Sequence, residues 1–385
     1  PLMPLDIDFV SNFLGSDHIM PKIVKCEVKL LTRPHVVLTT SYGATKQERS
    51  HAIVILYSED GKVGYGEATP LSKFTGETTE IVVNILENVI LPAIVGIDCF
   101  DIARAHIIMD NAIAENHAAK CAVDCALHDL ASKELGIPLY QMLGGKCRDS
   151  VSINRHIGIM DNVQAVSLAK DFVSQGFMSI KMKVGGNVQS NISRVRAVRE
   201  AVGDDAKIRI DANAGYNYTQ ASEFVKGVYD CNVEYYEQLL PKWDIDQTVA
   251  LHKNFGIPIL LDEAVNTPEQ AVRYAVSGAA DAFTIKLCKC GGLYRAKQIA
   301  GIAEAFGMGI VVASTYDTHI GCGACLHLAT ALPNIQSACD LTTYASQKDI
   351  AKSCHVLNGM QLHAGDSYGI GVFSMNDFGM TVNNA

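Results

Sequence analysis

From residue 151 onward the sequence repeats one device: short apolar stretches of strand length alternate with longer stretches whose apolar residues recur at helical spacing. "VSINRHIGI", "SIKMKV", "KIRIDAN", "VEYYEQ", "PILLDEA", "AFTIKL", "GIVVAS" and "SACDLT" read as eight strands, roughly 25 to 30 residues apart. Helical patterns such as "VQAVSLAKDFVSQG" and "YRAKQIAGIAEAFG" lie between them. Parallel strands need a crossover, and a helix is the usual one. The alternation therefore predicts a parallel sheet closed into a (β/α) barrel. A doubly wound open sheet is the alternative. No G-x-G-x-x-G opens a helix after a strand, so nothing points to a dinucleotide.

The part before residue 151 has another texture. "MPKIVKCEVKLL" reads as the beginning of structure, and "HAIVILYSEDGKVGYGEA" reads as two strands around a turn. From about residue 77 to 145 the pattern turns helical; "HAAKCAVDCALHDLASKELG" stops on Gly136, with Pro138 just beyond. This part is α+β.

A chain of 385 residues is long enough for a large core and two domains. Its net charge of −9 and pI of about 5.7 argue against nucleic acid or an anionic membrane surface as partner. No apolar run reaches the roughly 18 residues of a membrane span, and no secretory signal is read at the N-terminus. Twelve scattered cysteines include "CKC" (Cys288, Cys290) and "CGAC" (Cys322, Cys325). No histidine pair at zinc-finger spacing accompanies them, so they read as reduced core cysteines of a cytoplasmic protein.

"SIKMKVGG" places Lys181 and Lys183 two apart, hence on one face of a strand. Like charges side by side need an anion nearby. In a parallel barrel the active site lies at the C-terminal strand ends. There the third strand carries Asp211, the fourth Glu237 and the fifth Asp262, at spacings of 26 and 25 residues. Three acids on one rim need a cation or protons, and an all-oxygen set suits Mg²⁺ better than zinc. Any one of these acids alone is as well explained as a helix cap or ion-pair partner. Glu263 should face away by strand alternation. Lys286 closes the sixth strand, so a metal would lie between lysines of strands two and six. Lysines desolvated beside a divalent cation are expected to have lowered pKa values, and so to remove and return a proton next to a carboxylate through an enediolate.

At this point "KMK", "RIDANAGY", "EYYEQ", "LLDEA" and "TIKLCKCGG", in that order and spacing, resemble the enolase superfamily, specifically its muconate-lactonizing-enzyme subgroup. The resemblance spans nearly the whole chain and includes "GYGEATPL", which looks like part of a capping domain. It implies a (β/α)7β modified TIM barrel over 146–345, an α+β capping domain over 20–145, and a segment, 346–385, returning to that cap. It implies Asp211, Glu237 and Asp262 as Mg²⁺ ligands, Lys183 and Lys286 as opposed acid/base groups, and Lys181 as the group orienting the substrate carboxylate. Asn213 falls where the family often has a supporting polar residue. A mandelate-racemase-type site would use a histidine after strand seven, and "STYDTHIG" offers His319 with Asp317; Lys286 on strand six favours the lysine pair. Asp340 stands where dipeptide-acting relatives carry an Asp-x-Asp, with Thr342 in place of the second aspartate. The resemblance further implies a small-molecule carboxylate substrate and a homo-oligomer, dimer or octamer. A racemase or epimerase of N-substituted amino acids or dipeptides is the first choice of function. A muconate-type cycloisomerase is second and an acid dehydratase third. A non-catalytic binding role is a fourth reading, disfavoured by the intact acids and lysines. Specificity is expected in residues 41–51 and 68–78 and after strands seven and eight.

Overall fold

In the computed structural model, which describes residues 21–345 and 352–372, seven parallel strands follow one another around a sheet in chain order. They are Arg155–Ile157, Ser179–Lys183, Lys207–Asp211, Val233–Glu237, Ile259–Leu261, Ala282–Lys286 and Gly309–Ala313. A helix follows each of the seven: Asn162–Ser174, Val188–Val202, Tyr218–Gly227, Ile245–Phe255, Pro268–Ser277, Leu293–Ala305 and His319–Ala331.

The eighth strand differs from the sequence expectation. "SACDLT" forms no ladder; Cys339 bridges Ile153 and Asp340 bridges Ala313 as isolated pairs. Cys339 N donates to Ser152 O at 2.7 Å and Asp340 N to Val312 O at 2.9 Å. The stretch is cut short by the 3₁₀ turn Thr342–Ala345. These pairs join the seventh strand to the first, so the sheet closes into a barrel of seven strands and one bridging segment.

Strand alternation explains what the barrel buries. In Ser179–Lys183, Ile180 and Met182 face outward and join the same core as Ala165, Ala169 and Phe172 of the preceding helix. Ile180, Met182 and Phe172 each contribute about 1.5–3 kcal/mol by leaving water. Lys181 and Lys183 then face the barrel axis.

The N-terminal region forms an antiparallel sheet of Ile23–Pro34, Glu48–Ser58 and Val63–Ala68. The helix His117–Leu135 lies against it. Gly64 and Gly66 permit that approach: a Cβ on Gly66 would meet Ala122 O at 1.9 Å, and one on Gly64 would meet Ala126 O at 2.3 Å. The described C-terminal residues return to this region. Gln361 and Leu362 pair with Ser152 and Val151, while Ile370 N donates to Asp129 Oδ1 of the long helix at 2.8 Å. Residues 1–20, 346–351 and 373–385, part of the segment expected to return, lie outside the described residues. Among the described residues no helix is long and apolar enough to cross a membrane.

Glu67, at the end of the cap strand Val63–Ala68, ties cap to barrel. It accepts from Thr318 N at 2.9 Å, Thr318 Oγ1 at 2.6 Å and Gly321 N at 2.8 Å, at the N-terminus of His319–Ala331. His51 Nδ1 lies 2.7 Å away. Burial opposes its charge, but His51 and the Thr318 donors outweigh burial and lower its pKa to about 2. A depressed carboxyl pKa means stability present above the usual value of 4.5 and lost as pH falls toward about 2. Glu67→Gln should therefore cost on the order of 3 kcal/mol at neutral pH, with the deficit shrinking between those two pH values. Denaturant unfolding of both proteins across that range is the check; a deficit independent of pH would contradict the assignment.

Candidate active site

Register brings the expected site residues level. Lys183 pairs with Asp211, and Asp211 pairs with Glu237, across three adjacent strands. Lys183 Nζ contacts Asp211 Oδ2 and lies 3.2 Å from Asn213 Oδ1. Lys181 Nζ contacts Asp340 and lies 2.6 Å from Glu237 Oε2 and 3.8 Å from Asp211 Oδ2. Lys286 Nζ contacts Asp262 Oδ2 and stands 4.2 Å above the Phe74 ring. In a barrel of eight positions, strands two and six are opposite, so Lys183 and Lys286 face each other across the axis.

Asn213 is the joint of this set. Its φ of +44° turns the chain back. Its backbone N donates to Asp211 Oδ1 at 2.8 Å and its side-chain amide to Glu263 Oε1 at 3.1 Å.

Two features depart from the sequence expectation. Glu263 faces the site: its strand ends at Leu261, so alternation no longer governs it, and Tyr42 Oη donates to its Oε1 at 2.9 Å. Lys289, hidden in "CKC", curls back on the short helix Leu287–Cys290, and its Nζ lies 2.8 Å from Asp262 Oδ1. With no cation beside them, the lysine pKa values move upward. Burial lowers them, but Asp340, Glu237 and Asp211 around Lys181, Asp211 beside Lys183, and Asp262 beside Lys286 more than reverse it. Cys288, Cys290, Cys322 and Cys325 are buried free thiols, as expected.

Asp317 and His319 do not line the cavity. Asp317 is buried behind it, accepting from Thr315 Oγ1 at 2.9 Å, and its pKa is lifted to about 6 by burial and by Glu67. His319 stacks on Tyr344 with ring centroids 4.4 Å apart. The histidine-based alternative therefore lacks its geometry. Asp340 does line the cavity, held also by Asn154 and 3.5 Å from Arg209 Nη1. His156, absent from the sequence candidates, lines it beside Lys181; an alternating strand gave no signal that its inward residue would be an imidazole.

The cavity, of about 390 Å³, lies between rim and cap. Lys181, Lys183, Asn213 and Lys286 form its floor, and residues 40–50 and 70–80 of the cap form much of its wall. The cap loop is seated on the rim. Ser41 Oγ donates to Asn213 O at 3.0 Å, and Ile159 N donates to Thr39 O at 2.8 Å. A Cβ on Gly215 would meet Ser41 Cβ at 2.7 Å, so glycine is needed for that seating.

The resemblance read in the sequence implies a divalent cation at Asp211, Glu237 and Asp262, all wholly buried. As placed, no three acids, histidines or cysteines among the described residues stand close enough together to hold an ion. Each of the three carboxylates is engaged by an ammonium group instead. The donor chemistry fits a hard cation. All three offer oxygen, and Glu237 is pushed up to about 7 by burial and by Asp211, Asp340 and Asp262, a repulsion that a cation relieves. Glu263 rises to about 7 for similar reasons, and its Oε2 is buried without a hydrogen-bond partner.

Two family models match the chain. Residues 22–144 match the mandelate racemase/muconate lactonizing enzyme N-terminal domain, and residues 164–376 match the enolase C-terminal domain-like family. The chain belongs to the enolase superfamily, in its muconate-lactonizing-enzyme-like branch. It is 32% identical over 300 residues to an N-succinyl-L-Arg/Lys racemase of Bacillus cereus, covering 78% of this chain and 80% of that one. It is 29% identical over 301 residues to a chloromuconate cycloisomerase of a Pseudomonas strain, covering 77% and 81%. The structure of a dipeptide epimerase from Enterococcus faecalis, complexed with Mg and L-Leu-L-Tyr, superposes with a TM-score of 0.87 at 32% identity, covering 92% of this chain and all of that one. These relatives are isomerases.

Lys181 stands among three buried carboxylates, so removing its charge leaves them unmatched. Lys181→Met should lower the stability of the metal-free protein by about 3–5 kcal/mol, the usual cost of breaking a buried ion pair from one side. Denaturant unfolding measures this; an unchanged midpoint would contradict the charge matching described.

Proposed function

We propose that this protein is a Mg²⁺-dependent racemase or epimerase of N-substituted amino acids or dipeptides, moving the proton α to a carboxylate. The observation that carries this is the pair Lys183 and Lys286, on opposite strands, opening into one cavity above three carboxylates. Asp211, Glu237 and Asp262 would hold the metal. When bound, Mg²⁺ would stabilise the negative charge that reaches the substrate carboxylate as the α-proton leaves.

The chain's own groups do the rest. Lys181 orients the substrate carboxylate by charge. One of Lys183 Nζ and Lys286 Nζ takes the α-proton from its face, and the other delivers a proton to the opposite face. With those acids holding a metal, the lysines would lose the anionic partners that now raise their pKa, and one of them would be free to act as a base. Tyr42, Ser41 and Phe74 close the cap over the reacting carbon and limit water. Asn213 keeps Asp211 and Glu263 in place. The twelve free cysteines agree with a reducing, cytoplasmic setting. A cycloisomerase of the muconate type is the second reading, favoured by the similarity to chloromuconate cycloisomerase.

Chelation should abolish turnover, and Mg²⁺ or Mn²⁺ should restore it; full activity after exhaustive chelation would sink the proposal. Lys183→Ala should stop α-proton exchange from one enantiomer while leaving some exchange from the other, and Lys286→Ala should show the mirror pattern. Net racemisation should fall roughly 10²- to 10⁴-fold in each. If one replacement leaves turnover intact and the other abolishes it for every substrate, a one-base reaction replaces this reading.

A further inference from the structure

The cap wall of the cavity contains a guanidinium that makes no ion pair among the described residues. Arg49 is the second residue of the strand Glu48–Ser58 and lines the cavity. Its Nε is buried without a hydrogen-bond partner. Among the described residues no carboxylate lies within ion-pair distance of it; the buried Asp317 carboxyl acts on it only from farther off. Its close contact is the ring of Tyr316, with Cζ 4.2 Å from the centroid. Arg33, its partner across the sheet, is committed elsewhere: Nη2 donates to Tyr316 O at 3.0 Å and to Asp317 O at 2.9 Å.

The acids sharing the cavity do not serve Arg49. Glu77 Oε2 accepts from Ala118 N at 3.1 Å, at the start of the helix His117–Leu135. Glu80 takes its own backbone N–H and Thr78. Glu48 is exposed and makes no ion pair with Arg49. A guanidinium stays charged and carries five N–H donors in a planar fork. Half-burying one without an anion is costly, and the fork matches a carboxylate bidentately.

Tyr316 links this group to the reaction centre. It lines the same cavity and is one of the groups acting electrostatically on Lys183. A substrate with its α-carbon between the lysines can therefore extend past Tyr316 toward Arg49. We propose that Arg49 binds a second carboxylate of the substrate, remote from the α-carboxylate, so that the preferred substrates are dicarboxylates. The second carboxylate comes either from an acidic N-acyl group or from an acidic side chain. The inference rests on the proton-transfer reading for the place of the first carboxylate.

The test is calorimetric binding to the full-length, Mg²⁺-loaded protein, with two matched pairs of ligands. One pair is N-succinyl-L-alanine and its terminal amide; the other is N-acetyl-L-glutamate and N-acetyl-L-glutamine. In at least one pair the diacid should bind roughly 10- to 100-fold more tightly than the amide, as a charge-assisted bidentate contact implies. The pair that shows it identifies the source of the second carboxylate. Arg49→Met should erase the preference and Arg49→Lys should keep part of it. Equal binding of diacid and amide in both pairs, or no binding of any ligand, overturns the proposal. So does an Arg49→Met variant that weakens diacid and amide alike, which would leave Arg49 only the task of holding Tyr316. Tight, Arg49-dependent binding without any α-proton exchange would instead overturn the racemase reading and leave this assignment standing.

Discussion

Buried charge must be matched, and at the rim of this barrel four lysines are set against five carboxylates within one small volume. Lys181, Lys183, Lys286 and Lys289 meet Asp211, Glu237, Asp262, Glu263 and Asp340. A strand period of two points Lys181, Lys183, Asp211, Glu237 and Lys286 inward, and parallel register brings Lys183, Asp211 and Glu237 level. The apolar residues between them, such as Ile180, Met182 and Ile210, hold the strands to the helices. A shift of one residue in any of these strands would bury a charge among the helices and expose apolar groups to the axis. The core thus enforces the geometry of the site, and the site's charges need the core to be correct.

The cap completes what the barrel begins. Glu67 anchors it through a helix N-terminus, Ser41 and Tyr42 seat its loop on Asn213 and Glu263, and Arg33 holds the loop after the seventh strand. The chemistry-bearing floor comes from strand ends, whereas the wall comes from loops. This division lets reaction type and substrate choice vary separately, and it places Arg49 among the residues that choose.

Much of this was legible in the sequence because it depends on local period. Alternating short and long apolar patterns gave the barrel, and acids one β/α unit apart gave Asp211, Glu237 and Asp262. Where the period broke, the sequence stopped informing. Glu263 lies past a strand that ends early, Lys289 lies on a single helical turn, and the eighth strand reduces to two bridges. His156 gave no signal because an alternating strand does not announce that its inward residue is an imidazole; Tyr42 and Arg49 were legible only as part of the stretch 41–51, since which cap loop meets which strand end is decided by contacts across more than a hundred residues of chain.

The central claim is that this cavity labilises a proton next to a carboxylate. Incubating the Mg²⁺-loaded protein in D₂O with a panel of N-acyl amino acids and dipeptides, followed by mass spectrometry, tests it most directly. The account requires a gain of about one dalton at the α-carbon of at least one member, from a single exchanged proton. No deuterium in any member, with Mg²⁺ shown to be bound, would contradict it.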